Sequence, residues 1–138
     1  MSGYLIDTDW VIDYLKGVPS VVAQLQAVAN EGLAISVISL AELYEGVYGS
    51  GNADQHLQGL GQFLGFVSVV GLDDAVCRAF GQYRHRLRQR GQLIDNFDLL
   101  IAATSLTYQL TLVTGNLRHY ARIPGLQIAQ FAQPSRGV

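Results

Sequence analysis

Short apolar runs punctuate the chain at fairly even intervals: GYLID at 3–7, LAISVI at 33–38, FVSVV at 66–70 and LTLVT at 110–114. Runs this short, rich in β-branched residues and bounded by polar stretches, predict buried strands. A similar run, LQIAQF at 126–131, suggests a fifth. Between the strands, apolar positions recur at helical spacing over 9–16, stopped by Gly17 and Pro19. They recur over 20–30, with Ser20 in place to cap the start, and again from Ser39 to Tyr48. After a GSGNAD loop, helices are expected over 54–64, over 73–90 up to Gly91, and over 95–109. Strands alternating with helices predict an α/β fold in which a parallel sheet is covered on both faces. With no repeat, low-complexity tract or linker, residues 1–138 read as a single domain.

In such sheets ligands gather at the carboxyl ends of the strands, which draws notice to Asp7 and Thr114. A carboxylate ending a buried strand is costly unless it is hydrogen-bonded, paired or bound to a cation. Asp9 and Asp13 share one face of the first helix, Asp9 as its expected N-cap and Asp13 as a solvated residue. Ser39 and Glu42 match a capping box, so Glu42 has a structural reading of its own, and Glu45 one turn later is expected to be exposed. Asp95 suits the cap of the helix over 95–109, and Asp98 falls in its first turn. Because that helix is apolar around most of its circumference, a carboxylate there needs a partner. Thr114 and Asn116 add neutral oxygen donors after the fourth strand. Several carboxylates at one sheet edge repel each other unless a divalent cation or raised pKa values relieve them. Oxygen-only ligands suit Mg²⁺, with Mn²⁺ able to substitute.

Composition sharpens this picture in places. The net charge of −2 does not by itself favour a polyanionic partner, but Arg78, Arg84, Arg86, Arg88 and Arg90 fall in one stretch without an acid. Arg84 pairs in face with Arg88, and Arg86 with Arg90, so either pair suits phosphate contacts. His85 and His119 have no evident partner in sequence. The one cysteine, Cys77, excludes an internal disulfide and reads as buried helix filler. No apolar run approaches the roughly 18 residues of a membrane span. The N-terminus lacks a basic segment followed by an apolar one, so no signal peptide and a reducing cytoplasm are expected.

Three segments together resemble the PIN domain, specifically the VapC-type toxin ribonucleases. They are YLIDTDWVIDYLKG, ISVISLAELYEGV and NFDLLIAATSLTYQLTLVTGNLRHYARIPGLQI, in the family's order and over nearly the whole chain. The resemblance implies a three-layer α/β/α sandwich with a central, mostly parallel sheet, and a Mg²⁺-dependent endoribonuclease acting on RNA. It also implies a homodimer held in check by a small VapB-like antitoxin. It puts Asp7, Glu42 and Asp98 in the catalytic positions, Asp7 and Asp98 on the metal, and Asp9 at a position often polar in the family. Where the family often has a fourth acid, this chain has Asn116.

LIDTDWV also matches the signature of haloacid-dehalogenase phosphatases, with Asp7 as nucleophile and Asp9 as general acid. That chemistry calls for a downstream lysine, and the only lysine, Lys16, is nine residues beyond Asp7. A PIN-like interaction module with a decayed site is the other alternative. The stretch Leu43, Tyr44, Val47 and Tyr48 suits either core or a partner groove, the groove being favoured by the acids on the same helix.

Overall fold

A computed structural model of the chain describes residues 3–135. Four strands, β1 (Tyr4–Ile6), β2 (Leu33–Ser36), β3 (Ser68–Val70) and β4 (Thr111–Val113), form one sheet in the order β3-β2-β1-β4, with every pairing parallel. The helices α1 (Thr8–Leu15) and α2 (Pro19–Ala27) join β1 to β2, and α3 (Val37–Tyr48) and α4 (Ala53–Leu64) join β2 to β3. The helices α5 (Asp74–Gln89) and α6 (Asn96–Tyr108) lead to β4, and the short α7 (Leu117–Tyr120) follows it.

Strand alternation divides the core into two. In register, Leu5 pairs with Ala34 and Leu112, and all three enter the cluster that holds Leu87, Leu99, Ile101 and Tyr120 of α5, α6 and α7. Ile6 pairs with Val113, and both face the other way, onto Trp10, Val11, Val21, Leu25, Leu43, Val47, Leu60 and Phe63 of α1–α4. The result is the expected three-layer α/β/α arrangement. The chain order runs outward from β1 to β3 and then returns across the sheet to β4, so its direction reverses between β1 and β4. In open parallel sheets this reversal leaves a crevice at the strands' carboxyl ends, where ligands bind.

Local chemistry explains where the helices start, and it corrects several expectations. Asp7, extended at φ −69°, caps α1 by accepting from the Thr8 amide; Asp9 is already inside the helix. Pro19 occupies the first turn of α2, where its missing N–H costs nothing, so Ser20 is not the cap. Ser36 caps α3 through the Ile38 amide, which ends β2 two residues early and removes Ser39–Glu42 as a capping box. Gly91, at φ +65°, ends α5 as expected. The third strand is shorter than its apolar run, and 126–131 contributes only an isolated bridge from Ile128 to Leu112. There Gln24 grips the backbone of Ala132 from both sides (2.9 and 2.7 Å), and Phe131 stacks on Tyr4, so the segment is held by side chains rather than a ladder. Cys77 is exposed, not buried, because it lies off the apolar stripe of α5. No described helix is long and apolar enough to cross a membrane.

Candidate active site

The crevice between β1 and β4 gathers most of the acids singled out in the sequence. Asp7 is only 5% exposed. Its Oδ1 accepts from the Thr8 amide (2.8 Å) and its Oδ2 from the Thr114 hydroxyl (2.7 Å). Asp9, one residue into α1, accepts from the Trp10 amide (2.8 Å) and from the Gly115 amide (2.9 Å). Asp98 reaches the same edge from the first turn of α6, which Asp95 caps through the amides of Phe97 (2.9 Å) and Asp98 (3.3 Å). The Asn116 side chain donates to Asp98 Oδ2 (3.0 Å) and to His119 Nδ1 (3.0 Å). His119 Nδ1 itself lies 3.3 Å from Asp98 Oδ2, so protonating the ring turns this contact into an ion pair. The loop after β4 is fixed from within, where Thr114 Oγ1 accepts from the Asn116 amide (3.0 Å), and from the tail, where Gln133 donates to the Thr114 carbonyl (3.0 Å).

Glu42 joins from α3 by another route. The Thr8 hydroxyl lies 2.6 Å from Glu42 Oε1 and 2.9 Å from Ser39 Oγ. Having one proton, it gives it to the carboxylate and is left to accept from Ser39. Thr8 follows Asp7 directly, so one short relay ties the second acid to the first.

Electrostatics set this edge apart. The Asp7 carboxyl is pushed up to about 6, chiefly by burial and next by the charge of Asp9, with Asp98 adding a smaller push. Hydrogen bonds from Thr114 and Thr8 pull the other way and do not cancel the shift. Tyr120, fully buried in the same cluster, has its phenol driven upward by burial and by the charges of Asp7, Asp98 and Asp9. Among the described residues it finds no hydrogen bond of ordinary geometry.

The donors present suit a hard divalent cation: carboxylate oxygens with surplus negative charge, steadied by neutral hydroxyls and amides. No trio of acids, histidines or cysteines among the described residues is drawn tightly enough to cage an ion unaided. That matches the habit of Mg²⁺, which keeps several waters and takes one or two carboxylates together with substrate phosphates.

The PIN domain profile matches residues 4–126, the span that carries all of these groups. The chain belongs to the PIN-domain family. It is 32% identical over 126 residues to Ribonuclease VapC1 of Haemophilus influenzae (strain R2866), covering 90% of this chain and 94% of that protein. It is 29% identical over 128 residues to the tRNA(fMet)-specific endonuclease VapC of Salmonella typhimurium, covering 93% and 97%. Among solved structures, a chain of VapBC2 from Rickettsia felis bound to a DNA fragment from its promoter superposes with a TM-score of 0.88 at 32% identity, covering 94% of this chain and 99% of that one. The VapC-type ribonucleases are thus the branch of the PIN domain to which this protein is related, and it is an RNA-cleaving enzyme of that type.

Within this PIN domain, Asp7, Asp9, Asp98, Thr114 and Asn116 converge, with Glu42 attached through Thr8. Glu45 is exposed, and Asp13 is half-buried rather than solvated. The arginines separate. Arg84 is half-buried and its Nε donates to Asn96 Oδ1 (2.9 Å) at the start of α6, beside the acids. Arg86 lies over the Tyr83 ring (5.2 Å), while Arg88 and Arg90 are solvated at the end of α5. Leu43 and Val47 are core, whereas Tyr44 and Tyr48 stack on the surface, so the favoured groove reading holds for only half of that stretch. The phosphatase alternative finds no support. Lys16 is exposed just beyond α1, two turns from Asp7, and Asp9 is held by two amides. Tyr120 and the Gly115 amide escaped sequence reading. Tyr120 falls four residues after Asn116, the spacing that puts both on one side of a turn, and that was the available signal.

Proposed function

We propose that this protein is a divalent-metal-dependent endoribonuclease, the toxin of a toxin–antitoxin pair, with Asp7, Glu42 and Asp98 as its catalytic acids. One observation carries the reading most of the way: Asp7 is buried beside two further carboxylates at the β1–β4 crevice, with no basic side chain among the groups that set its ionisation. Folding this charge into one place is unfavourable, and a cation and a phosphodiester relieve it together.

Asp7 and Asp98 are the residues that would hold Mg²⁺ or Mn²⁺, with Asp9 and Asn116 as accessories and Thr114 fixing Asp7 from behind. A divalent cation there supplies positive charge to a phosphodiester oxygen and makes a nearby water more acidic. The protein's own part is positional. Thr114 and the Thr8 amide fix both oxygens of Asp7. Asn116 aligns Asp98, and Thr8 holds Glu42 at the opposite side, where its free oxygen can take a proton from water. With Asn116 in place of a fourth acid, the set supports at least one ion. Arg84 is best placed of the arginines to meet RNA phosphate, and Arg86, Arg88 and Arg90 continue that surface outward.

The solved relatives named VapBC are toxin–antitoxin complexes, and the R. felis complex is bound to promoter DNA. Carried over to this chain, that likeness gives a VapB-like antitoxin partner, a homodimeric toxin and a place of action in the cytoplasm. The test is direct: the purified chain, free of any partner, is incubated with structured RNA and Mg²⁺ or Mn²⁺, with EDTA as control. Cleavage that needs metal and is lost in Asp7→Ala and Asp98→Ala supports the reading. Equal cleavage by wild type and variants points to a contaminant and rejects it.

A further inference from the structure

Two large apolar side chains stand out in water at the rim of the acid site. Phe97 is 49% exposed and Leu117 42% exposed. Each is the immediate chain neighbour of one member of a hydrogen-bonded pair: Phe97 precedes Asp98, Leu117 follows Asn116, and Asn116 donates to Asp98 at 3.0 Å. Neither belongs to the core clusters or packs against them, and Phe97 pairs with no other ring among the described residues. A single exposed leucine needs no explanation. Two exposed apolar groups flanking an acid pair meant for a polyanion do, since both lower solubility and neither contributes to the core.

The backbone under them is rigid. The Phe97 amide is capped by Asp95 at 2.9 Å, and Asn116 is anchored by its amide to Thr114 Oγ1. The preceding residue, Asn96, holds the Arg84 guanidinium through Nε. Along one rim the site therefore offers an aromatic face, an aliphatic backing and a fixed positive charge. Successive Cα atoms are about 3.8 Å apart, so Phe97 stands within one nucleotide's reach of whatever Asp98 engages. An aromatic face beside a phosphate-binding charge is how proteins seat unpaired bases, because every base has a π-face to stack.

We propose that Phe97, backed by Leu117, is the platform on which the base next to the scissile phosphate stacks, with Arg84 holding the adjoining phosphate. The proposal rests on the ribonuclease reading above and names residues that select an unpaired nucleotide. It commits to RNA as occupant because the patch adjoins the acids and carries a cation. A protein covering the same patch is an outcome of the test.

The experiment uses the full chain and an unstructured 12-nucleotide RNA carrying 2-aminopurine at successive positions. Binding is read in EDTA as fluorescence quenching, which reports stacking without cleavage, and KM and kcat are then measured with Mg²⁺. For Phe97→Ala the expected results are loss of the quench at one position and a KM raised about tenfold, the scale of one lost base–aromatic stack. The accompanying kcat should change much less. Phe97→Trp should restore both, and Leu117→Ala should give the same pattern, weaker. Melting temperatures close to wild type confirm that these exposed positions do not govern folding. A wild-type quench that persists unchanged in Phe97→Ala, or no quench at any position in wild type, overturns the proposal. So does a Phe97→Ala variant that handles RNA normally but loses a protein partner. Quenching without any metal-dependent cleavage by wild type would instead reject the ribonuclease reading and leave the stacking platform standing.

Discussion

Asp7 and Asp73 do the same local job at two ends of the molecule. Each is an extended residue capping a helix, Asp7 for α1 and Asp73 for α5, and each accepts from a backbone amide in the first turn. Their ionisation goes in opposite directions. Asp73 is exposed, and hydrogen bonds from the Tyr108 hydroxyl and the Val76 amide hold its carboxyl below the usual carboxylate range. Asp7 is buried beside Asp9 and Asp98 and is pushed up to about 6. Capping by itself requires no such burden, as Asp73 demonstrates. The excess negative charge at Asp7 is a cost to the fold, tolerated at the one place where the topology opens a crevice.

The largest expected difference is in activity. Asp7→Asn keeps a capping oxygen but removes the charge, and Asp98→Asn does the same in α6. Each should lower the rate of RNA cleavage by on the order of 10³-fold, in the range seen when a group that stabilises transition-state charge is lost. Asp73→Asn, far from the acids, should cleave as wild type does. An active Asp7→Asn enzyme would break the contrast at its root.

Stability should move in the reverse sense. A carboxyl whose folded pKa lies above its unfolded value of 3.8 binds more protons when folded, so its contribution is fully present below about pH 4 and is lost as pH rises through about 6. Charged Asp7 therefore destabilises the metal-free protein at neutral pH by an amount on the order of 1–3 kcal/mol. Asp7→Asn should melt higher than wild type at pH 7.5 and show no such advantage at pH 4. Asp73→Ala should melt lower, because it loses a cap and repairs no repulsion. The pH–rate profile should share the same ionisation, rising through about pH 6 where Asp7 must be charged to work. Mg²⁺ should recover the lost stability in wild type by binding only the folded state, and should do so far less in Asp7→Asn.

A smaller effect sharpens the picture of Glu42. Thr8→Val keeps the shape of the side chain but cuts the relay from Asp7 to Glu42 and Ser39. If Thr8 positions Glu42, cleavage should fall by roughly tenfold with little change in KM, since a positioning hydrogen bond is worth about 1–1.5 kcal/mol. Thr8→Ser should restore it. Equal activity in Thr8→Val would remove Thr8 from the site.

The same contrast shows what residue patterns reveal and what they hide. The alternation of strands and helices was readable because each strand is buried on both faces and so reads as an unbroken apolar run. Asp7 and Asp98 were readable because a carboxylate at a strand end, or in the first turn of a buried helix, demands a partner. The caps were less so. Ser36 and Ser39 both suit a cap, and only the point where β2 leaves the sheet decides between them. Glu42 reaches the site through a hydroxyl on another helix, a contact 34 residues away that no local pattern encodes. Tyr120 looked like core, as it is, and the company its hydroxyl keeps emerged only once α7 was folded against β1 and β4. The tail misled because LQIAQF alternates like a strand, while Gln24 and Phe131 hold that segment by side chains.

One measurement bears on the central claim most directly: cleavage of RNA by the purified, partner-free chain as Mg²⁺ is titrated, with Asp7→Asn and Asp98→Asn alongside. The account predicts no cleavage in EDTA, saturable activation of wild type by the cation, and loss of that activation in both variants. Cleavage that ignores the metal, or that persists in both variants at the wild-type rate, would contradict it.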